Sequence, residues 1–476
     1  MRSSGVTHVG LITVSDGRPS VHATVEAFAH GVQDRLAEAL RARGHTVTET
    51  VGVVSTSTDA VAGARKLADA RPDLTVVNIP VWAFPHFTVL VARETPGPFA
   101  LFSNVDPAYP GMVGMLAAGG ALDQIGRVHA RVWGDAGDDE VLDRLVQIAR
   151  AAAAVRRLEG STFGRIGGRP MGMYTAVANP DQWLRSFGVD VEEIDQYELV
   201  RRAEAVDPAL GRRGREWLER TAANVHYDGS RLTPELLERQ VRVYHAMREL
   251  IDEWKLDFCG IKAQPELTDN FCTADVAEAF LNDPYDWDGP KQPVVCATEA
   301  DMDGALTMQI LAGISGTPAL FADLRCYHGD LDVWDLCNSG QHPTWFAERA
   351  DDPEANMRHV SLHPADFYFP AGGASVQHLA AEGEMTFARL TRNNGRYRLH
   401  VLRGRFVRFD EATNERLMRA SSYTWPHAFA RVDAPAGEIL GRYGSNHIHA
   451  VPGDVIAELY HVCRFLDVNL DPFGEI

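Results

Sequence analysis

Strand-like and helix-like segments alternate through the first third of the chain, and this alternation restricts the possible folds more than any other feature of the sequence. Residues 9–14 are apolar and β-branched, and after a turn they lead into a helical stripe whose apolar residues recur at spacings of three and four from Val25 to Leu40. Further strands are predicted at residues 46–54, 74–79, 98–104 and 127–133, and helices at 59–68, 111–122 and 140–158. Such alternation predicts a parallel sheet covered by helices.

A second α/β unit is predicted after a glycine-containing boundary at residues 160–172. Its strands are predicted at residues 171–177, 188–194, 258–262, 293–297 and 319–324, with a helical segment at 306–311. Residues 233–254 have the clearest helix pattern in the chain, because Thr233 can cap the helix, Pro234 suits its first turn and one face is apolar.

The pattern changes after about residue 352, where short strand-like segments replace the helical periodicity. Strands are predicted at residues 384–390, 397–407 and 438–440, and a closing helix at 454–465. We therefore predict an α/β protein with two Rossmann-like α/β domains followed by a β-barrel-like C-terminal domain. The predicted domains are residues 1–168, 169–352 and 353–476.

The charge balance limits the partners of such a protein. The 476 residues include 65 acidic and 46 basic side chains, a formal charge of −19, whereas nucleic acids and anionic lipids are bound by basic patches. We therefore expect neither nucleic acid nor membrane as a partner. The chain has no apolar run of about 18 residues, and its first residues lack a secretion signal. Because its six cysteines form no CxxC pair, we expect reduced thiols in a cytoplasmic protein.

Two acidic residues follow predicted buried strands. Glu299 and Asp323 are 24 residues apart (323 − 299), which matches one strand–helix–strand unit. We expect their carboxylates to lie side by side at the carboxyl edge of a parallel sheet, where ligands bind in open α/β folds. Adjacent carboxylates repel each other, and a divalent cation would relieve that repulsion. The alternative is that both acids are helix caps or loop residues.

Histidines supply a second type of candidate ligand. A glycine-containing loop is predicted at residues 443–449 and contains His447 and His449, and His342 follows Asp323 by 19 residues (342 − 323). Carboxylates combined with one or two imidazoles suit Mn²⁺ or another divalent cation better than a closed structural zinc site. For each histidine, the alternative is an ordinary surface or packed residue.

Several segments, in order along nearly the whole chain, carry a resemblance to a known family. They are VSDGR (14–18), IPVWAF (79–84), LTDNFCTADVAEAFLNDPYDWDG (267–289), CATEADMDGALTMQILAGISGTPALFADLRCY (296–327), FYFPAGGAS (367–375), YTWPH (423–427) and GSNHIH (444–449). Together they resemble the L-fucose isomerase family, which is related to the L-arabinose isomerases. The resemblance implies two α/β domains with a β-barrel C-terminal domain, and a homohexamer.

The resemblance also implies roles for individual residues. Glu299, Asp323 and His447 would be the Mn²⁺ ligands, while His342 lies near an additional imidazole ligand of the arabinose isomerase branch. Arg18 would reach the sugar from a neighbouring subunit. The implied substrate-binding residues are Arg18, Trp82, Lys262, Gln264, Tyr368, Trp425 and Asn446.

The implied reaction is aldose–ketose exchange, in which a proton moves between C1 and C2 of an open-chain sugar through an enediolate. The carbon acid is weak, so the reaction needs strong charge stabilisation, which a divalent cation can supply, together with a general base and a general acid. Glu299 and Asp323 would fill these two roles, in an order that stays open. The expected substrate is a sugar such as L-fucose or D-arabinose.

One departure from the family bears on the substrate. Lys262 stands where fucose-active members have a glutamine, whereas the second glutamine, Gln264, is kept. The lysine charge could favour an anionic sugar such as sulfoquinovose, or it could pair with Glu266 or Asp269. A different class of function also stays open: a sugar-binding protein without chemistry, which would not need the three candidate metal ligands together.

Overall fold

The computed structural model describes residues 6–339 and 341–475. The described residues form two compact units. One comprises the residues up to Leu158 together with Ala457–Val468, and the other comprises Glu159–Ile456 together with the residues from Asn469 onward. No helix among the described residues combines the length and the apolar character that a membrane span requires.

The first unit is an α/β structure built on a parallel sheet of five strands in the order β2-β1-β3-β4-β5. Its elements are β1 (His8–Thr13), α1 (Pro19–Ala42), β2 (Thr46–Glu49), α2 (Ser57–Ala70), β3 (Leu74–Asn78), α3 (Pro85–Glu94), β4 (Phe99–Ser103), α4 (Gly111–Gln124), β5 (Ala130–Trp133) and α5 (Asp139–Leu158). The alternation of strands and helices predicted for this part of the chain is confirmed.

Two separate apolar clusters explain why the central strand β1 has buried apolar residues on both of its faces. Val9 and Leu11 of β1 belong to a cluster that includes Leu36 of α1, whereas Ile12 belongs to a cluster that includes Leu67 of α2. Successive side chains of a strand point to opposite faces, so a sheet covered by helices on both faces needs apolar residues at every position.

The second unit contains a parallel α/β sheet and a larger sheet built mainly from later residues. Its elements are β6 (Thr162–Ile166), α6 (Pro180–Phe187), β7 (Asp190–Ile194), α7 (Gln196–Ala205), α8 (Pro208–Thr221), β8 (Asn224–Val225), α9 (Pro234–Trp254), β9 (Phe258–Ile261), α10 (Glu266–Asn270), α11 (Asp275–Asn282), β10 (Tyr285–Asp286), β11 (Gly289–Pro290), β12 (Cys296–Thr298), α12 (Met302–Ser315), β13 (Leu320–His328), β14 (Val333–Cys337), α13 (Pro353–Met357), β15 (Ser361–Pro364), β16 (Ala374–Gln377), β17 (Gly383–Asn393), β18 (Arg396–Phe406), α14 (Glu411–Arg419), β19 (Ala428–Val432), α15 (Ala436–Arg442), β20 (His447–Pro452), α16 (Ile456–Phe465, whose residues from Ala457 belong to the first unit) and β21 (Asn469–Pro472). The helix predicted at 233–254 is confirmed, and the Thr233 hydroxyl accepts the Leu236 N–H at its start.

Two sheets of this unit matter for function. The parallel sheet has the order β12-β9-β6-β7, and the larger sheet has the order β17-β20-β13-β14-β19-β18-β21. Pairing in the larger sheet is antiparallel except for β21, which is parallel to β18. Because β17 pairs with β18 as well as with β20, the strand pairings form a closed circuit from β17 back to β17. A parallel α/β part followed by a strand-rich C-terminal part is therefore confirmed.

Three predictions about individual strands are wrong. Residues 171–177 form turns with no strand partner, and their glycine and exposed Met171 and Tyr174 do not suit a buried strand. Residues 438–440 lie within α15, where Glu438 forms an i,i+4 ion pair with Arg442 that supports the helix. The strand predicted at 319–324 exists as β13, but it belongs to the larger antiparallel sheet and not to the parallel one.

Candidate active site

Glu299 lies in the turn between β12 and α12, at the carboxyl edge of the parallel sheet. The Ala300 N–H donates to the Ile261 carbonyl at 2.9 Å, which ties the turn to the neighbouring strand β9. Glu299 and Ala300 have φ values of 59° and 46°, a left-handed conformation that is uncommon for non-glycine residues and is concentrated at functional sites. Asp301 then caps α12 by accepting the Gly304 N–H. The turn therefore holds two acids, Glu299 and Asp301, in fixed positions.

His447 and His449 lie in strand β20 and not in the predicted loop, so Asp323 and His447 face each other across two antiparallel strands. Asp323 of β13 is the register partner of His447 of β20, and side chains of directly opposed residues lie on the same face of a sheet. His447 Nε2 lies 3.6 Å from Asp323 Oδ1 and 2.9 Å from Glu299 Oε2. The structure thus brings the three predicted ligands together around one imidazole nitrogen.

The route to this convergence differs from the one expected. Glu299 follows a strand of the parallel sheet, whereas Asp323 lies within a strand of the antiparallel sheet. The expectation that both acids leave one parallel sheet side by side is wrong. The chain changes sheets after α12, and the pairing of β13 with β20 delivers Asp323 to His447.

A buried set of polar groups supports these three side chains. Asp301 Oδ2 lies 2.7 Å from His447 Nδ1, and the Arg389 guanidinium donates to both oxygens of Asp301. Arg389 and Asp301 are fully buried. Asn338 donates an amide N–H to Asp323 Oδ2, and Asn446 donates one to Asp323 Oδ1, both at 3.0 Å. Asp323, His447 and Asp301 are therefore each held by a partner on another element.

The charges of the cluster are strongly coupled. Burial lowers the pKa of His447, but the carboxylates of Glu299 and Asp301 outweigh burial and raise that pKa to about 10. Burial raises the pKa of Asp323, an effect that the charge of His447 opposes and that of Glu299 reinforces. Burial alone would raise the pKa of Asp301 as well, but the charge of Arg389 and the hydrogen bond with His447 lower it below its ordinary value. Without a metal, His447 is consequently an imidazolium between two carboxylates.

The donor atoms at the centre fit a divalent cation. Glu299 Oε2 and His447 Nε2 are buried and lie 2.9 Å apart, and neither atom has a hydrogen bond to any further described residue. Buried polar atoms without partners are uncommon, and an ion is one of the accepted explanations. Two carboxylates and one imidazole form a hard oxygen- and nitrogen-donor set of the kind that Mn²⁺ accepts.

The aromatic candidates Tyr368 and Trp425 lie close to each other, and Trp425 also lies close to the side chain of Arg325. The rings of Tyr368 and Trp425 are 6.3 Å apart, and the Trp425 indole N–H has no hydrogen-bond partner among the described residues. The guanidinium carbon of Arg325 lies 5.3 Å from the centre of the Trp425 ring. Arg325 also acts electrostatically on Asp323. A half-exposed tyrosine and an indole therefore lie next to a guanidinium whose charge acts on the carboxylate of Asp323.

Lys262 and Gln264 leave the same sheet edge as Glu299. Lys262 follows β9, whose Ile261 is the register partner of Thr298. The Lys262 ammonium donates to Glu266 at 2.6 Å, so the pairing considered as an alternative for this lysine is present. Gln264 is buried, and its side-chain carbonyl has no hydrogen-bond partner among the described residues.

Arg18 and Trp82 lie in the first unit, after strands β1 and β3. These strands are neighbours at the point where the strand order reverses, which is the usual ligand-binding position of an open parallel sheet. The Arg18 side chain is 62% exposed, and its guanidinium forms a bidentate contact with the buried carboxylate of Asp16, including an Nε–Oδ1 distance of 2.9 Å.

Two candidate histidines lie outside the central contacts. His342 is fully buried and its ring neighbours that of His378 at 6.2 Å, with no contact to Glu299, Asp323 or His447 among the described residues. Gly340, in the same loop, lies outside the described residues. His449 Nε2 is 3.2 Å from Arg389 Nη1, so this ring lies beside the supporting arginine instead of the central donors.

Sequence reasoning missed four polar residues of this region, namely Asp301, Arg325, Asn338 and Arg389. Asp301 had a readable signal, because an aspartate directly before an apolar helix is an N-cap. Asn338 and Arg325 lie close in sequence to residues already selected. Arg389 has no local signal, since only the packing of β17 against α12 brings it to Asp301.

Comparison with known proteins gives a consistent result along the chain. Residues 6–160, 254–315 and 336–473 match the first N-terminal, second N-terminal and C-terminal domains of L-fucose isomerase. An L-fucose isomerase of Escherichia coli O6:H1 (strain CFT073) is 24% identical, with 98% of this chain and 93% of the relative covered. An L-fucose isomerase of Haemophilus influenzae (strain PittEE) is 25% identical, with 97% of this chain and 91% of the relative covered.

Proposed function

The chain belongs to the L-fucose isomerase family and is an aldose–ketose isomerase, and we propose that it uses a divalent cation held by Glu299, Asp323 and His447 to isomerise an open-chain sugar. Mn²⁺ is the proposed cation. The observation that carries the proposal is the convergence of both carboxylates on His447 Nε2, at 2.9 Å and 3.6 Å. Family membership sets aside the alternative of a sugar-binding protein without chemistry.

The side chains divide the chemistry between them. A bound divalent cation would act as a Lewis acid on the two sugar oxygens that exchange the carbonyl. Glu299 and Asp323 are the groups that can take the carbon-bound proton and exchange the hydroxyl proton, one as base and the other as acid. Asn446 holds Asp323 from one side, and Trp425 with Tyr368 would exclude water from the sugar.

Removal of the cation should stop the reaction. Chelator treatment followed by gel filtration is expected to lower kcat at least about 100-fold, because Lewis-acid stabilisation supplies several kcal/mol. Addition of Mn²⁺ should restore turnover. The assay uses a panel of L-fucose, D-arabinose and sulfoquinovose, with ketose formation followed directly. Full activity of a metal-free preparation, verified by elemental analysis, would refute the metal-dependent part of the proposal.

The raised pKa of His447 predicts that metal binding depends on pH. The imidazolium stabilises the metal-free protein fully below its unfolded pKa of 6.5, and this contribution is lost as pH rises through about 10. Because a cation must displace the Nε2 proton, the apparent affinity for Mn²⁺ should rise about tenfold per pH unit between pH 6.5 and 9. Thermal melts with and without Mn²⁺ should therefore differ by an amount that grows between pH 6.5 and 9. A difference that stays constant with pH would contradict this charge assignment.

The substrate is proposed to be neutral, of the L-fucose or D-arabinose type. The charge of Lys262 is compensated by Glu266, so the one lysine that departs from the family does not by itself call for an anion. Arg325 is the observation that favours the alternative, an anionic sugar such as sulfoquinovose. It is exposed beside Trp425 and has no carboxylate in an ion pair among the described residues.

Two substitutions distinguish these substrates. If the sugar is neutral, Arg325→Gln and Lys262→Gln should both leave the ranking of the three sugars unchanged. If the sugar is anionic, Arg325→Gln should lower kcat/KM for sulfoquinovose by about 10- to 100-fold, the value of a hydrogen bond to a charged group, and should spare L-fucose. Lys262→Gln is the matched control, because its charge is already paired. A wild-type preference for sulfoquinovose over L-fucose would overturn the neutral proposal.

Arg18 and Trp82 are proposed to complete the site of a neighbouring subunit in a homohexamer. The support is their position at the reversal point of the first sheet and the exposed guanidinium of Arg18. A cytoplasmic location is part of the same proposal, in keeping with six cysteines that are all free thiols.

A further inference from the structure

A second cluster of metal-binding side chains lies on the larger sheet. Asp335 and Cys337 alternate along β14 and therefore share one face, and His427 precedes β19, which pairs with β14. One donor atom from each of the three side chains lies within 4.8 Å of the other two. All three residues are fully buried.

The orientation of His427 leaves one ring nitrogen pointing at the cluster. His427 Nε2 lies 3.1 Å from the Ser422 carbonyl, which only accepts hydrogen bonds, so Nε2 carries a proton. His427 Nδ1 faces Asp335 Oδ1 at 2.8 Å. A hydrogen bond to the far nitrogen of a histidine is the usual way in which a protein orients an imidazole ligand.

Asp335 supplies an independent indication of a bound cation. Its Oδ2 atom is buried and has no hydrogen-bond partner among the described residues. Leaving a carboxylate oxygen unpaired in the interior is costly, and a cation removes that cost. Among the described residues, His427 is the hydrogen-bond partner of only the other oxygen of Asp335, and the polar contact of the Cys337 thiol is the Ser421 hydroxyl, at 3.6 Å.

We propose that Asp335, Cys337 and His427 bind a zinc-type divalent cation at a second site that lies beside the catalytic one, because Cys337 is the register partner of Asp323. Sulfur, nitrogen and oxygen donors form the mixed set that Zn²⁺ accepts. The Cys337 thiol would lose its proton to solvent as the ion binds. Because His427 follows Trp425 by two residues, the ion would tether the segment that carries this indole. The proposal does not depend on the substrate or the reaction.

A second, outer group of donors provides a matched control. Cys326, His328 and Asp335 also lie within 4.8 Å of one another, but Cys326 and His328 are only partly buried. Cys326 Sγ already contacts His328 Nε2 at 3.3 Å. The inner group is favoured because all three of its members are buried and the far nitrogen of its histidine is held.

Cobalt substitution tests the site, because the catalytic donor set contains no sulfur. Titration of the chelated wild-type protein with Co²⁺ should produce a sulfur-to-cobalt charge-transfer band in the near ultraviolet, and Zn²⁺ should abolish it. Cys337→Ser should lose the band, whereas Cys326→Ser and Glu299→Gln should keep it. Absence of the band in the wild type, its survival in Cys337→Ser, or its loss in Cys326→Ser would overturn the proposal.

X-ray absorption at the cobalt edge covers the case in which Cys337→Ser does not fold. The wild-type protein alone should show sulfur scattering from one ligand at the zinc-type site. A first shell that contains only oxygen and nitrogen would refute thiolate ligation without any variant.

Discussion

Glu299→Gln is expected to lower kcat by at least about 10³-fold, since general acid–base catalysis alone contributes about 10² to 10⁴ and this carboxylate is also a proposed metal ligand. The protein should stay folded, because glutamine has the same shape and the turn is fixed by backbone bonds to β9. Asp323→Asn should have an effect of similar size. In this variant the asparagine amide would face the N–H groups that Asn338 and Asn446 now donate to the carboxylate of Asp323.

The control for both variants is Glu415→Gln. Glu415 is half exposed, and its ion-pair partner among the described residues is Arg419, one turn away on the surface helix α14. Turnover of L-fucose and D-arabinose with saturating Mn²⁺ is the assay, and circular dichroism melts establish that each variant is folded. Activity within tenfold of the wild type in either active-site variant would remove that residue from the acid–base pair.

Periodicity was sufficient to predict the parallel α/β part of the fold. The helix at residues 233–254 has a cap, a first-turn proline and an apolar face, and all three act locally. Residues 438–440 show where local reasoning fails. Three residues cannot distinguish a short strand from a helical turn, and the ion pair between Glu438 and Arg442 that supports the helix extends beyond the predicted segment.

The candidate site was predicted in its residues but not in its geometry. Glu299, Asp323 and His447 were selected from residue type, strand ends and family resemblance. Strand spacing alone suggested one parallel sheet, because residues 319–322, at the start of this strand, are apolar as in a buried parallel strand. Only its pairing with β20, more than a hundred residues later, decides the sheet to which it belongs. Non-local pairings of this kind leave no trace in a single sequence.

Asp301→Asn is expected to weaken metal binding about 10- to 100-fold, the usual effect of losing the partner that orients a histidine ligand. Asp301 does not contact the proposed metal centre directly, but it contacts the far nitrogen of His447 at 2.7 Å. An asparagine can no longer hold the imidazole by a charged hydrogen bond. We therefore assign Asp301 as a positioning residue. Its removal should raise the Mn²⁺ concentration needed for half-maximal activity more than it lowers kcat at saturating Mn²⁺.

The same substitution should destabilise the fold by about 3–5 kcal/mol, because it leaves a fully buried arginine without its carboxylate. Arg389 and Asp301 are both inaccessible to solvent. Since the pKa of Asp301 is lowered in the folded protein, its contribution to stability is present at neutral pH and is lost as pH falls through the acid range. The wild type should therefore lose more stability on acidification than the variant.

Asp303→Asn separates the two effects of Asp301. Asp303 is buried and pairs with Arg392 and the Trp183 and Tyr397 side chains, but it does not contact His447. The Asp303→Asn variant should therefore be less stable than the wild type but keep the wild-type affinity for Mn²⁺, which calorimetric titration of the chelated protein measures. If both aspartate variants lose affinity equally, the effect of Asp301 is general loosening of the core and not orientation of the imidazole. If neither variant loses affinity for Mn²⁺, the contact between Asp301 and His447 contributes nothing to metal binding.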